Sequence, residues 1–151
     1  MEENNFKSGY ISVVGRPNVG KSTLLNSIIG EKISAISSKP QTTRQNITFI
    51  HTDDDSQMIF LDTPGIQRPK NKLGEFMLNE SKEGIEEADI ITYIVDVSKR
   101  IGKAERSIID ILKEYNGQIP IILLINKVDK IKKEELLEII SMYSKGIPSP
   151  N

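Results

Sequence analysis

The sequence predicts a three-layer α/β domain: a mostly parallel sheet with helices on both faces and one antiparallel hairpin strand. Three features point there. Tyr10–Val14 is short, apolar and β-prone, Gly15–Ser22 is a glycine-bearing turn, and Thr23–Ile29 is a helix-forming run closed by Gly30. Ile90–Val95 and Ile119–Ile125 are unbroken apolar runs, as expected of central parallel strands covered on both faces. Helical periodicities fill the intervals, so strands alternate with helices along the chain.

The other elements follow in order. Ile47–Ile50 and Met58–Leu61 flank the polar turn Thr52–Asp55 and predict an antiparallel hairpin. His51 and the Asp53–Asp55 run read as structural there, with no second histidine and no ligand set at calcium spacing nearby. Leu73–Glu87 predicts a helix, although Phe76, Met77, Glu80 and Gly84 leave its buried face undefined. Glu105–Tyr115 puts Ile108, Ile109, Leu112 and Tyr115 on one face, and Glu134–Ser144 does the same with Leu136, Leu137, Ile140 and Tyr143.

A chain of 151 residues suits one domain, with residues 1–9 as a polar tail and 10–151 as the folded unit. A net charge of −1 excludes a global basic field of the kind that advertises nucleic-acid binding. The absence of cysteine rules out disulfides and thiolate metal sites and suits a reducing compartment. The N-terminal MEENNFKSGY resembles no signal peptide, and neither apolar run is long enough for a transmembrane segment. These observations predict a soluble cytoplasmic protein.

The chemistry collects where the strands end. Gly15–Ser22 reads GRPNVGKS, a glycine, four variable residues, then Gly-Lys-Ser. Between a strand and a helix, successive backbone N–H groups of such a loop converge with the helix N-terminus on a polyphosphate. Lys21 can reach the outer phosphates, and the Ser22 hydroxyl can hold Mg2+. DTPG at Asp62–Gly65 follows the next strand. Asp62 can hold Mg2+ through a water, and the Gly65 N–H can bond a γ-phosphate because no side chain blocks it. The alternative for DTPG is a plain turn built on Pro64-Gly65.

NKVD at Asn126–Asp129 ends the second apolar run. The Asp129 carboxylate offers two acceptors to the two adjacent donors of guanine, and adenine would leave it unpaired. Asn126 would brace the loop and the base edge, with the Lys127 stem along the ring. The alternative makes Asp129 the N-cap of a following helix. Ser37–Asn46 is polar, turn-rich and without apolar periodicity, which suits a segment ordered by γ-phosphate and Mg2+. Either Thr42 or Thr43 would supply a hydroxyl to the metal. Ile66–Lys72, after DTPG, is a second candidate switch.

GRPNVGKS, PQTTR at Pro40–Arg44, DTPG and NKVD stand in the order and spacing of translation-factor-like GTPases. With GEKISAISSKPQTTR at Gly30–Arg44 and FIHT at Phe49–Thr52, the chain resembles the bacterial Era GTPases from about Ser8 to Lys145. The resemblance implies a P-loop G domain that binds GTP and GDP and hydrolyses GTP. It implies that Asn18, Val19, Gly20, Lys21, Ser22 and Thr23 form the phosphate cradle, with Gly15, Arg16 and Pro17 also in the nucleotide-binding loop. Ser22 and Thr43 would ligate Mg2+ with Asp62 in support, Thr43 being preferred because related patterns place the threonine directly before Arg. Asp62, Gly65, Asn126, Lys127 and Asp129 would complete the nucleotide contacts, with Lys21, Thr43, Gly65 and Asn18 acting in hydrolysis. Relatives with GxPNVGKS loops are activated by potassium, which implies K+ beside Asn18; the alternative is that Asn18 only supports the turn. The partners implied are the small ribosomal subunit and 16S rRNA, reached through a C-terminal KH domain, and the periphery of the inner membrane.

The sequence departs from that pattern in three places. No KH domain and no Ser-Ala strand follow NKVD, so the domain is expected to be C-terminally incomplete, lacking a last strand and helix. The residue after DTPG is Ile66, where Ras-type enzymes place a water-orienting glutamine, which predicts slow intrinsic turnover. A catalytically idle nucleotide-binding or partner-docking module is the alternative function. A small-molecule kinase is disfavoured by NKVD and by the lack of an Arg-rich lid-like segment.

Overall fold

The computed structural model describes residues 5–29, 47–63, 66 and 69–147. In these residues a five-stranded sheet runs in the order β2-β3-β1-β4-β5. Its strands are β1 (Lys7–Val14), β2 (Ile47–Thr52), β3 (Ser56–Asp62), β4 (Ile90–Val95) and β5 (Ile121–Ile125). Only β2 and β3 pair antiparallel; β1 is parallel to β3 and β4, and β4 to β5. The helices are α1 (Lys21–Ile29), α2 (Lys72–Glu86), α3 (Lys103–Lys113) and α4 (Lys133–Gly146).

Pairing sets the length of β1. The Lys7 N–H donates to Asp55 O at 3.0 Å, and Lys7 lies in register with Ser56. Residues Lys7 to Gly9 therefore belong to the sheet, which corrects the expected tail 1–9. The β2–β3 turn is closed by Asp53, whose Oδ1 accepts from the N–H groups of Asp55 at 2.9 Å and Ser56 at 2.6 Å. Those donors hold its carboxyl below the ordinary value of 3.8.

Neighbouring residues of the central strands feed opposite layers, as strand pleating requires. Val14, Ile91, Tyr93 and Val95 meet Ile85 of α2, Ile108 and Leu112 of α3, and Ile139 and Tyr143 of α4 in the larger core. Val13 and Ile94 meet Val19, Leu25 of α1 and Phe60 in the smaller one. Three helices thus cover one face and α1 the other.

The face expected of α3 is the face it buries: Ile108, Ile109, Leu112 and Tyr115 are all inside. The stripe of α2 was hidden because it is made of small residues. Ser81, Gly84 and Ile85 are buried, while Leu73 and Phe76 face solvent. The face expected of α4 requires correction. Ile139 and Tyr143 are buried, but Leu137 is 67% and Ile140 39% exposed. Tyr143, already on the expected face, sits edge-on to Tyr93 at 6.1 Å, and its buried neighbour one turn back is Ile139 in place of Leu137 and Ile140.

The run Ile119–Ile125 is also corrected. Ile119 completes the turn after α3 by donating to Tyr115 O, and Pro120 has no N–H for a ladder, so β5 begins at Ile121. Among the described residues β5 is an edge strand, with Ile122 51% exposed rather than covered on both faces.

Candidate nucleotide-binding site

The carboxyl ends of β1, β3, β4 and β5 bring the motifs together, as open α/β sheets do with their ligand sites. The phosphate loop leaves β1 at Gly15, where a Cβ would come within 2.8 Å of Ile94 O. Asn18 and Gly20 adopt left-handed backbone, with φ of 68° and 90°. A Cβ on Gly20 would also collide with the Asn126 amide nitrogen, so only glycine fits there. Val19 is fully buried and pins the loop to the smaller core, while Pro17, Asn18, Ser22 and Thr23 face solvent.

Lys21 and Asp62 meet at one point. Lys21 Nζ lies 2.7 Å from Asp62 Oδ1, which also accepts from the Thr63 N–H at 2.9 Å. Thr63 is buried, and its hydroxyl donates to Val13 O at 2.8 Å, locking the start of DTPG across β1. The second Asp62 oxygen and the exposed Ser22 hydroxyl are hard oxygen donors of the kind Mg2+ takes together with phosphate oxygens.

The NKVD loop is joined to the phosphate loop by two bonds. Asn126 Nδ2 donates to Val19 O at 2.9 Å, and Lys127 Nζ to Asn18 O at 2.8 Å. The Asn126 N–H is tied back to Val95 O at 2.8 Å, and Lys127 takes a left-handed φ of 62°. Asp129 sits exposed in a short 3-10 turn, Val128–Lys130. It does not cap α4, whose first turn is closed by Glu135 accepting from the Lys132 N–H at 2.9 Å. Among the described residues the Asp129 carboxylate makes no hydrogen bond or ion pair.

The Arg16 side chain is turned toward α3 and the end of β4. Its Nη2 lies 2.7 Å from Asp96 Oδ1 and its Nε 2.7 Å from Glu105 Oε1. Burial disfavours the charged guanidinium, but the attraction and hydrogen bonds of Asp96 and then Glu105 outweigh this, and its pKa is raised. Glu105 is 2% exposed and also accepts the buried Tyr93 hydroxyl. Burial first, then Glu105, pushes that phenol far above its ordinary range.

Ile66 is buried in the larger core, as its apolar character requires. The phosphate-loop residues, Asp62, Asn126, Lys127 and Asp129 are all described, whereas Thr42, Thr43, Pro64 and Gly65, with PQTTR and the whole of Ser37–Asn46, lie outside the described residues. Thr63, Asp96 and Glu105 escaped the motif reading. Glu105 had left one signal, since it precedes Ile108 and Ile109 by three and four residues and so shares their buried stripe.

The family model described as 50S ribosome-binding GTPase matches residues 10–127. The chain belongs to this family. GTPase Era of Clostridioides difficile (strain 630) is 53% identical over 141 residues, which are 93% of this chain and 47% of that protein. The chain thus spans about half the length of the curated relatives it matches. A crystal structure of Era in complex with MgGDPNP and nucleotides 1506–1542 of 16S ribosomal RNA matches with a TM-score of 0.75 at 38% identity. That match covers 96% of this chain and 50% of the solved one. A structure of Aquifex aeolicus Era bound to GDP and AlF4− gives a TM-score of 0.74 at the same identity and coverage. The G domain of the Thermotoga maritima FeoB transporter, at 21% identity and a TM-score of 0.56 over 89% of this chain and 83% of its own, shares the fold alone. No described helix is long and apolar enough to cross a membrane.

Proposed function

We propose that this chain is the guanine-nucleotide module of an Era-type GTPase, binding GTP and GDP with Mg2+ and hydrolysing GTP. The observation that carries this is the bridging of the two loops: Asn126 and Lys127 fasten the base-reading segment to Val19 and Asn18 of the phosphate loop. A ligand that touches both must carry a base at one end and phosphates at the other. The exposed Asp129 carboxylate selects guanine, because its two acceptors match N1–H and the 2-amino group.

Lys21, facing Asp62, neutralises the outer phosphates as charge develops in phosphoryl transfer. Ser22, Asp62 and Thr43 would hold Mg2+, which supplies charge neutralisation at the phosphate oxygens. The buried Ile66 leaves the attacking water without a side-chain partner at that position, and turnover is slow. The Asn18 amide makes no hydrogen bond among the described residues and is free to face K+ beside the phosphates. In a cytoplasmic longer protein the module would serve small-subunit assembly on 16S rRNA, as the RNA-bound Era structure supports.

Titration of a fluorescent GDP analogue tests the reading. Unlabelled GTP should displace it and ATP should not, and turnover in a longer version of the chain should be faster in KCl than in NaCl at equal ionic strength. Displacement by ATP as readily as by GTP would overturn the guanine assignment. Equal rates in the two salts would remove K+, since screening is matched and only ion identity differs.

A further inference from the structure

We propose that Glu105 is a positioning residue for the nucleotide site, acting from α3 through Arg16 on the phosphate loop. The inference rests on the nucleotide-binding reading above and adds a part to it. A carboxylate in a core is tolerated only when it is paired and hydrogen-bonded. Glu105 satisfies both conditions in one direction only: Arg16 Nε at 2.7 Å and the Tyr93 hydroxyl are its partners among the described residues.

The guanidinium is forked between two carboxylates on separate elements, Glu105 of α3 and Asp96 just after β4. Such planar, two-point pairing fixes the direction of the arginine as well as its charge. Asp96 Oδ1 also accepts from the Ser98 N–H at 3.1 Å, so the segment leading into α3 is held by the same group. Arg16 lies one residue from Gly15 and two from Asn18, where the backbone turns left-handed. The guanidinium, held by Asp96 and Glu105, therefore sets the path of the loop from the α3 side.

This arrangement makes α3 a lever on nucleotide affinity. Glu105 is buried and reaches the loop only through Arg16, yet loss of its charge should loosen that loop.

The experiment compares GDP affinity with thermal stability in the full chain, using a fluorescent GDP analogue. Glu105→Gln keeps the size and an acceptor for Tyr93 but removes the charge that holds Arg16. It should weaken GDP about tenfold, or about 1.4 kcal/mol. Arg16→Ala, which keeps the backbone N–H and changes a half-exposed residue, should weaken it equally and covers the case in which the Glu105 variant fails to fold. The double variant should be no weaker than either single one, because both remove the same link. Ile109→Val, elsewhere on α3, should lower the melting temperature and leave GDP affinity within twofold. Wild-type affinity in the Glu105 or Arg16 variant, additive losses in the double one, or an equal loss in Ile109→Val would each overturn the proposal. A wild-type chain that binds no GDP would instead overturn the function proposed above.

Discussion

The two loops of the site are held in opposite ways. The phosphate loop is fastened from beneath, by a fully buried Val19 and by Arg16 gripping a carboxylate that is 2% exposed. The NKVD loop is fastened from its side, by a half-buried lysine and a part-buried amide reaching to the other loop's carbonyls. Among the described residues its Asp129 is left unpaired. The difference follows from what each must do. Backbone N–H groups bind phosphate only if their directions are fixed beforehand, whereas a carboxylate that reads a base must have its acceptors free.

The sharpest way to break that comparison is to remove the charge the fixed loop presents. Lys21→Ala leaves the cradle in place, but GDP affinity should fall about a hundredfold, as expected for a charge-assisted contact to phosphate. A loss below threefold in the same fluorescent titration would mean that the ligand does not lie along the loop.

A smaller effect is expected far from both loops, in the β2–β3 turn. Asp53 has its folded pKa lowered by the N–H groups of Asp55 and Ser56 and the Ser56 hydroxyl. A depressed carboxylate pKa contributes stability above the unfolded value, and that contribution is lost as pH falls through the lower folded value. Asp53→Asn should therefore melt below wild type at pH 6, and the gap should narrow as pH falls from the ordinary 3.8 through the lower folded value. Its GDP affinity should match wild type. A gap in melting temperature that does not narrow at all as the pH is lowered would remove the ionised carboxylate as the cause.

Much of this was legible in the sequence, for a physical reason. GRPNVGKS, DTPG and NKVD are contiguous, and their function depends on backbone geometry that short segments dictate. The apolar face of α3 was equally plain, because Ile108, Ile109 and Leu112 form a single stripe. The face of α4 was legible only in part: Tyr143 is buried as expected, but Ile139, four residues before it, takes the place of Leu137 and Ile140. Edge position hid in the composition of β5, where Ile122 looks like a core residue and faces solvent. The Arg16–Glu105 pair joins residues 89 apart in the chain, and no local pattern announces such a contact.

The central claim is that one ligand spans both loops with guanine on Asp129. Competition between GTP and XTP for the fluorescent GDP or XDP site, in wild type and Asp129→Asn, tests it most directly. The amide offers a donor to the 2-oxo group of xanthine where the carboxylate offered an acceptor to the 2-amino group of guanine. The account predicts that wild type prefers GTP and that Asp129→Asn reverses the preference toward XTP. A variant that keeps the wild-type margin for GTP would contradict it.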